Sequence, residues 1–345
     1  MHRAIYTLAL VTPVLLLLSA TGCHPVNLPY TQTGNWLQSA QIGSYPRSNA
    51  VSFVIGDKAY VGTGYNPLVN GNKLSDFWRF SVDSGWKQVQ SLPGSVRSNA
   101  VGFSLNGHGY VGTGLGADGV TAYNDFYQYD TLLNQWTQKS SFPGGPRYDA
   151  VGFGLQGKGY IGTGFSFVWL NDFYQYDPGT DNWALTVGTS GDFSKRRAAT
   201  CFVHSNKAYI VTGSANGTMA RDFWSFDPSL SSPWVRLGDI TSDNTSTKDD
   251  QYTDIRREYA VSFINGDSAY LTLGQNGVPI ASTWVYDFVH DQWAQRTPYH
   301  REPRTGAVAF TIRGRSFVGT GNAGSAGVLD DFDEFMPNQP FNTND

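Results

Sequence analysis

Residues 47–64 read RSNAVSFVIGDKAYVGTG, and residues 97–114 read RSNAVGFSLNGHGYVGTG. The same plan, an Arg, a small apolar run ending in Phe, a turn, an aromatic and a Gly-rich end, starts again at Arg147, Arg196, Arg257 and Arg304. The Phe of successive copies is Phe53, Phe103, Phe153, Phe202, Phe263 and Phe310, and seven residues later stand Tyr60, Tyr110, Tyr160, Tyr209, Tyr270 and Phe317. A second half follows, as in NDFYQYDTLLNQW at 124–136 and NDFYQYDPGTDNW at 171–183, and it ends on Trp86, Trp136, Trp183, Trp234 or Trp293. Each copy thus holds four strand-like runs, lettered a to d. In the first copy these are AVSFVI, KAYVGTG, DFWRFS and a run that begins at Trp86. Gly56-Asp57, Asn106-Gly107 and Asn265-Gly266 mark the tight reversals between a and b. A four-strand unit recurring about every fifty residues predicts one small sheet per copy, arranged as the blades of a propeller.

The sixth copy tests this. It runs from Arg304 to DDFDEF at 330–335 and then ends in MPNQPFNTND, without a final Trp. The missing run stands at the other end of the chain, in GNWLQSA at 34–40. The two fragments predict a last blade completed by the segment bearing Trp36, a closure that leaves no open sheet edge. Over residues 36 to about 336 the ordered aromatics, Gly-rich strand ends and tryptophans resemble the kelch-repeat family. That resemblance implies an all-β fold, a six-bladed β-propeller of kelch type with the last blade closed by the N-terminal strand. Thr63, Thr113, Thr163 and Thr320 stand inside the glycine pair that kelch units usually keep together.

The first 23 residues, MHRAIYTLALVTPVLLLLSATGC, carry Arg3, then an apolar run, then small residues. They read as an export signal, too short and poorly flanked for a spanning helix. The ending Ala20-Thr21-Gly22-Cys23 resembles a bacterial lipoprotein site, although Ala20 stands where Leu is commoner. It implies a mature chain anchored to an envelope membrane through lipid on Cys23, on the periplasmic side or the outer surface; ordinary cleavage and secretion is the alternative. The expected organisation is a signal peptide over 1–23, a tether over 24–35, the propeller over 36–336 and a tail over 337–345. Cys201, in the apolar run AATCFV, then has no partner for an internal disulfide and reads as a core residue. Charged residues are 15% of the chain, against roughly 25% in an average domain, and the net charge is −4. That balance excludes the basic footprint of a nucleic-acid partner.

In an up-and-down blade the b–c and d–a connections share one face. The b–c connections differ in every copy, from YNPLVNGNKLS to FSFVWLN, and variable loops on a rigid scaffold are where binding is built. The repeated arginines start strand a on that face, and Asp76, Asp125, Asp172, Asp222 and Asp331 start strand c. Their one-for-one balance predicts ion pairs within each blade. In the fifth copy the Asp position is Ser282, which makes Arg257 the candidate for an anionic ligand. Two residues after each Arg stand Asn49, Asn99, Asp149, Ala198, Tyr259 and Gly306. Strand alternation directs them the same way as the arginines, toward the channel mouth. There Asn49, Asn99, Asp149 and Tyr259 offer hydrogen bonds to a polyol or a peptide. Phe165, Phe167 and Trp169 in a short b–c loop can stack on sugar rings, grip a protein, or simply cover the end of blade 3. Asp243, Asp249, Asp250 and Asp254 carry oxygens suited to Ca²⁺ but lack a calcium-loop spacing, so they read as a solvated insertion.

The kelch resemblance implies binding modules, sugar mutarotases or copper oxidases, and fold does not choose among them. His108 and His204 lie at a–b turns on the opposite face, and Cys201 has no evident Tyr partner, so no copper, other metal or cofactor is expected. A mutarotase needs an acid, a base and an Arg for an acidic sugar. Arg257 and Glu258 are adjacent and face opposite ways on a strand, and Glu302 is a loose carboxylate. The residues therefore favour a non-catalytic module binding carbohydrate or protein through the b–c/d–a face. The alternative is a mutarotase or epimerase resembling the sialic-acid mutarotases.

Overall fold

The computed structural model describes residues 33–186, 188–189, 192–240 and 255–344. The signal region with Cys23 and the acidic stretch at 243–254 lie outside the described residues. Within them the chain forms six antiparallel four-stranded sheets. In a-to-d order blade 1 holds Val51–Ile55, Lys58–Gly62, Phe77–Ser81 and Gly85–Val89. Blade 2 holds Val101–Leu105, His108–Gly112, Phe126–Asp130 and Gln135–Lys139, and blade 3 Val151–Leu155, Lys158–Gly162, Phe173–Asp177 and Asn182–Leu185. Blade 4 holds Thr200–His204, Lys207–Val211, Trp224–Phe226 and Trp234–Arg236, and blade 5 Val261–Asn265, Ser268–Thr272, Thr283–Asp287 and Gln292–Arg296. Blade 6 takes Val308–Ile312, Arg315–Gly319 and Phe332–Pro340 from the C-terminal end, and its d strand is Thr33–Gln38.

The closure follows from complementary surfaces. Trp36 is fully buried, edge-on to Tyr299 at 4.9 Å and tilted on Phe335 at 4.6 Å. Its strand pairs antiparallel with Phe332–Pro340, placing Thr33 opposite Pro340 and Gln38 opposite Asp333. Between blades the repeated aromatics interlock in one pattern. The strand-b ring of each blade meets the strand-c ring of the next: Tyr60 on Tyr129, Tyr110 on Tyr176, Tyr160 on Phe226, Tyr209 on Tyr286, Tyr270 on Phe335 and Phe317 on Phe80, at 5.0–6.1 Å. Each such buried ring contributes about 2–3 kcal/mol by area removed from water. The outer strands are stapled too, because Trp86, Trp136 and Trp183 donate their indole N–H to the backbone oxygens of Ala40, Gln90 and Ser140 in the preceding blade's exit.

The six repeated arginines are all fully buried. Arg47 forks onto Asp76 (3.0 and 2.8 Å), Arg97 onto Asp125 (2.5 and 2.7 Å), Arg147 onto Asp172 (2.6 and 2.9 Å) and Arg304 onto Asp331 (2.5 and 3.2 Å). Arg196 pairs with Asp222. Each also donates to the backbone oxygen ending strand b, for example Thr63 at 3.1 Å and Thr320 at 3.2 Å. One side chain thus ties strands a, b and c of its own blade. In blade 5 Arg257 keeps the strand-b contact, to Leu273 at 3.0 Å, and takes Ser282 Oγ at 2.7 Å.

Candidate functional site

Two residues beyond each arginine the backbone turns left-handed. Asn49, Asn99, Asp149, Ala198, Tyr259 and Gly306 have φ between +51° and +60°. Each amide N–H donates to the carbonyl of its counterpart in the preceding blade, and Asn49 closes the circuit onto Gly306 at 2.7 Å. The other five bonds span 2.9–3.3 Å, so a belt of six main-chain hydrogen bonds encircles the axis. The expectation that these residues and the arginines point the same way is therefore corrected. Period-2 alternation needs extended backbone, and a left-handed residue breaks it. The arginines turn outward into their blades, and the belt residues face the channel.

The belt is also where sequence variation has a structural limit. Asn, Asp and Gly tolerate left-handed backbone, whereas a ring-bearing residue there is an outlier, and such strain concentrates at functional sites. Tyr259 is that outlier. At the seam, a Cβ on Gly306 would sit 2.2 Å from Asn49 Oδ1 and 2.9 Å from its backbone nitrogen, so any larger residue there displaces Asn49.

The belt residues line an axial cavity of about 140 Å³, floored by Ala50, Ala100, Ala150, Ala199, Ala260 and Ala307. Four expected site residues, Asn49, Asn99, Asp149 and Tyr259, are brought together here. Asn99 Nδ2 donates to Asp149 Oδ1 at 2.6 Å, and Tyr259 Oη reaches across blade 4 to donate to Asp149 Oδ2 at 2.9 Å. Asp149 is only 7% exposed. Burial lifts its carboxyl from the ordinary 3.8 to about 6, against the opposing pull of Asn99, Tyr259 and Arg197. Burial and the Asp149 charge together raise the Tyr259 phenol. The network continues outward: Ser98 Oγ donates to Asn99 Oδ1 at 2.6 Å, and Lys73 Nζ donates to Ser98 Oγ at 2.6 Å while lying over the Tyr65 ring at 4.9 Å. Burial lowers the Lys73 ammonium, and Asp149 resists that shift.

Opposite Lys73, Arg197 lies over the Phe165 ring at 5.6 Å. Burial works against its charge, but Tyr259, Asp149 and Glu258 hold its pKa above the ordinary value. Glu258, 8% exposed, accepts from Gln275 Nε2 at 2.8 Å and from Ser214 Oγ. Arg257, expected at the mouth, is instead fully buried beneath it with the other repeated arginines. The cation that reaches the mouth is its neighbour in kind, the half-buried Arg197, one residue after a repeated Arg. Sequence reasoning missed Arg197 and Lys73 and set Glu258 aside as facing away. The available signal was the position just after each repeated Arg, which reads Ser48, Ser98, Tyr148, Arg197, Glu258, Thr305 and changes in nearly every blade.

No protein-family model matches the chain, and no curated protein does. A solved structure of YjhT is similar. The TM-score is 0.68 at 15% identity, over 83% of this chain and 94% of that one. At this identity the likeness is one of fold.

The aromatic loop completes the rim. Phe165 packs on Tyr148 at 5.5 Å and on Trp169 at 5.1 Å, which makes both candidates part of a wall beside Arg197. Phe167 does not join them; it stands 83% exposed at the loop tip. Cys201 lines the channel below the belt, its thiol donating to Gly152 O at 3.6 Å, and burial pushes it up to about 12, as suits an inert group. Among the described residues no group of three or more His, Cys, Asp or Glu is placed to hold a metal ion.

Proposed function

We propose that this propeller, of kelch type and exported with a lipid anchor on Cys23, binds a carboxylate-bearing carbohydrate at the channel mouth on its b–c/d–a face. One observation carries this reading. Both acids of the mouth spend both oxygens on neutral donors, Asp149 on Asn99 and Tyr259, Glu258 on Gln275 and Ser214. Lys73 and Arg197, in contrast, form no ion pair within 4 Å among the described residues. The unspent hydrogen-bonding capacity is cationic, and a planar guanidinium suits a carboxylate. The half-buried rings of Tyr65, Phe165 and Trp169 supply apolar faces, and the amides of the belt supply partners for hydroxyls.

A second reading has its own support. A carboxyl titrating near 6 and bonded to a phenol is poised for proton transfer at neutral pH, the acid–base work that sugar anomerisation requires. Calorimetric titration of the mature chain with galacturonic acid and with galactose tests the first reading, and NMR of anomer exchange in the same samples tests the second. Binding of the acid alone, weakened at least tenfold by Arg197→Gln, is the expected result. Equal affinity for both sugars, or an Arg197→Gln protein that binds unchanged, overturns the carboxylate assignment. Exchange accelerated by the parent protein and abolished by Asp149→Asn would make the mouth an active site.

A further inference from the structure

The axial cavity, at about 140 Å³, is well below the roughly 300–1,000 Å³ of ordinary small-molecule sites. Its size suits the carboxylate end of one sugar unit held against the belt, with no room for further units. A ligand longer than one unit must therefore place its further units elsewhere. Lys73 joins the mouth to a second cavity. Its Nζ is bonded to the mouth network through Ser98, and its side chain also lines a groove of about 560 Å³ on the flank of blade 1.

We propose that this flanking groove is an outer sugar subsite, so that the ligand of the mouth is an acidic oligosaccharide rather than a single sugar. The proposal rests on the mouth binding a carboxylate sugar, and it adds the length and direction of that ligand. The groove has the two-sided chemistry of a sugar ring. Tyr45, 59% exposed, and the half-buried Trp78 present aromatic faces, and Leu74 adds apolar surface. Gln88 and Lys73 supply polar reach at its edges. The other charged group, Asp76, is neutralised in place: its oxygens accept from Arg47, Ser44 and the Trp78 indole. Lys73 is thus the one charge on the groove wall without an ion-pair partner among the described residues, and it stands at the join between the two cavities. A cation at that position reads an anionic group on or beside the linkage between two sugar units. The Trp78 ring is fixed by its bond to Asp76 at 2.7 Å, so the platform is preorganised and costs little to order on binding.

Galacturonic acid, digalacturonic acid and trigalacturonic acid, titrated calorimetrically against the mature chain, provide the test. Affinity is expected to rise at least tenfold from the monosaccharide to the disaccharide. The double variant Tyr45→Ala/Gln88→Ala, which touches only groove residues, should erase that gain and leave monosaccharide affinity unchanged. Near-native melting of the variant confirms that it is folded. If galacturonic acid binds but length adds nothing, the outer subsite is wrong and the mouth reading stands. If the double variant weakens all three ligands equally, the groove does not act separately and the proposal falls. If none of the three binds, both proposals fall together.

Discussion

Two rings of side chains lie two residues apart in the sequence and behave as opposites. The first is arginine in every blade, fully buried and bonded inside its own sheet. The second reads Asn, Asn, Asp, Ala, Tyr and Gly, faces the axis, and shares one backbone conformation while sharing almost no side-chain chemistry. What is copied six times within one chain is scaffold, because each blade must solve the same packing problem. Where the copies disagree at a position whose backbone is held constant, no common packing need dictates the side chain. The mouth is assembled from such disagreements. Asp149, Tyr259, Arg197, Glu258 and Lys73 come from blades 3, 5, 4, 5 and 1.

The sharpest way to break this distinction is to damage the buried ring. Arg196→Met leaves Asp222, 2% exposed, without its cation. Removing one partner of a buried pair costs about 3–5 kcal/mol, so urea denaturation should show a loss of that size. A loss under about 1 kcal/mol would remove the basis for treating the arginines as scaffold.

The channel ring should respond in the opposite direction. The Asp149 carboxyl is raised to about 6 in the folded protein from the ordinary 3.8. A raised acid gives stability that is fully present below the unfolded value and lost as pH climbs through the folded one. Asp149→Asn removes that loss. It should stabilise the protein by about 2–3 kcal/mol at pH 8, the shift being about two pH units at 1.36 kcal/mol each. The two proteins should converge near pH 4. Denaturation at both pH values checks this, and a difference independent of pH would show that Asp149 carries no buried charge. A gain in stability joined to a loss of ligand would mark the residue as functional.

The smallest effect concerns the bridge across the channel. Tyr259→Phe removes the hydroxyl that donates to Asp149 at 2.9 Å. A hydrogen bond to a carboxylate is worth about 1.5 kcal/mol, so the Asp149 titration should move up by about one pH unit. Following the carboxyl by NMR in both proteins tests the contact. An unmoved titration would mean that Tyr259 is a bystander.

The closed ring was legible because its signals are periodic and redundant. Six aromatic sets, six arginines and one displaced Trp36 all specify the same architecture. The Arg–Asp pairs were legible by their one-for-one balance. The site was only half legible. Asn49, Asn99, Asp149 and Tyr259 were assigned to the mouth by strand alternation, although the backbone there is left-handed. The same rule put Arg257 at the mouth and turned Glu258 away from it. Lys73 gave no signal because its counterparts three residues before each strand-c start, Ala122, Trp169, Met219, Pro279 and Val328, are all apolar, and only folding brings it to Ser98.

The polarity of the closing strand has one more consequence. Gln38 lies beside Asp333, close to the Asp331–Arg304 pair at the mouth side, while Thr33 lies beside Pro340 at the far side, where Asn342 also bonds to Asn35. Both ends of the folded ring therefore emerge from its back. A fusion partner joined directly before Thr33 or after Asn342 would start from the side away from the opening, so the ring lends itself to capture formats in which ligand arrives from the front.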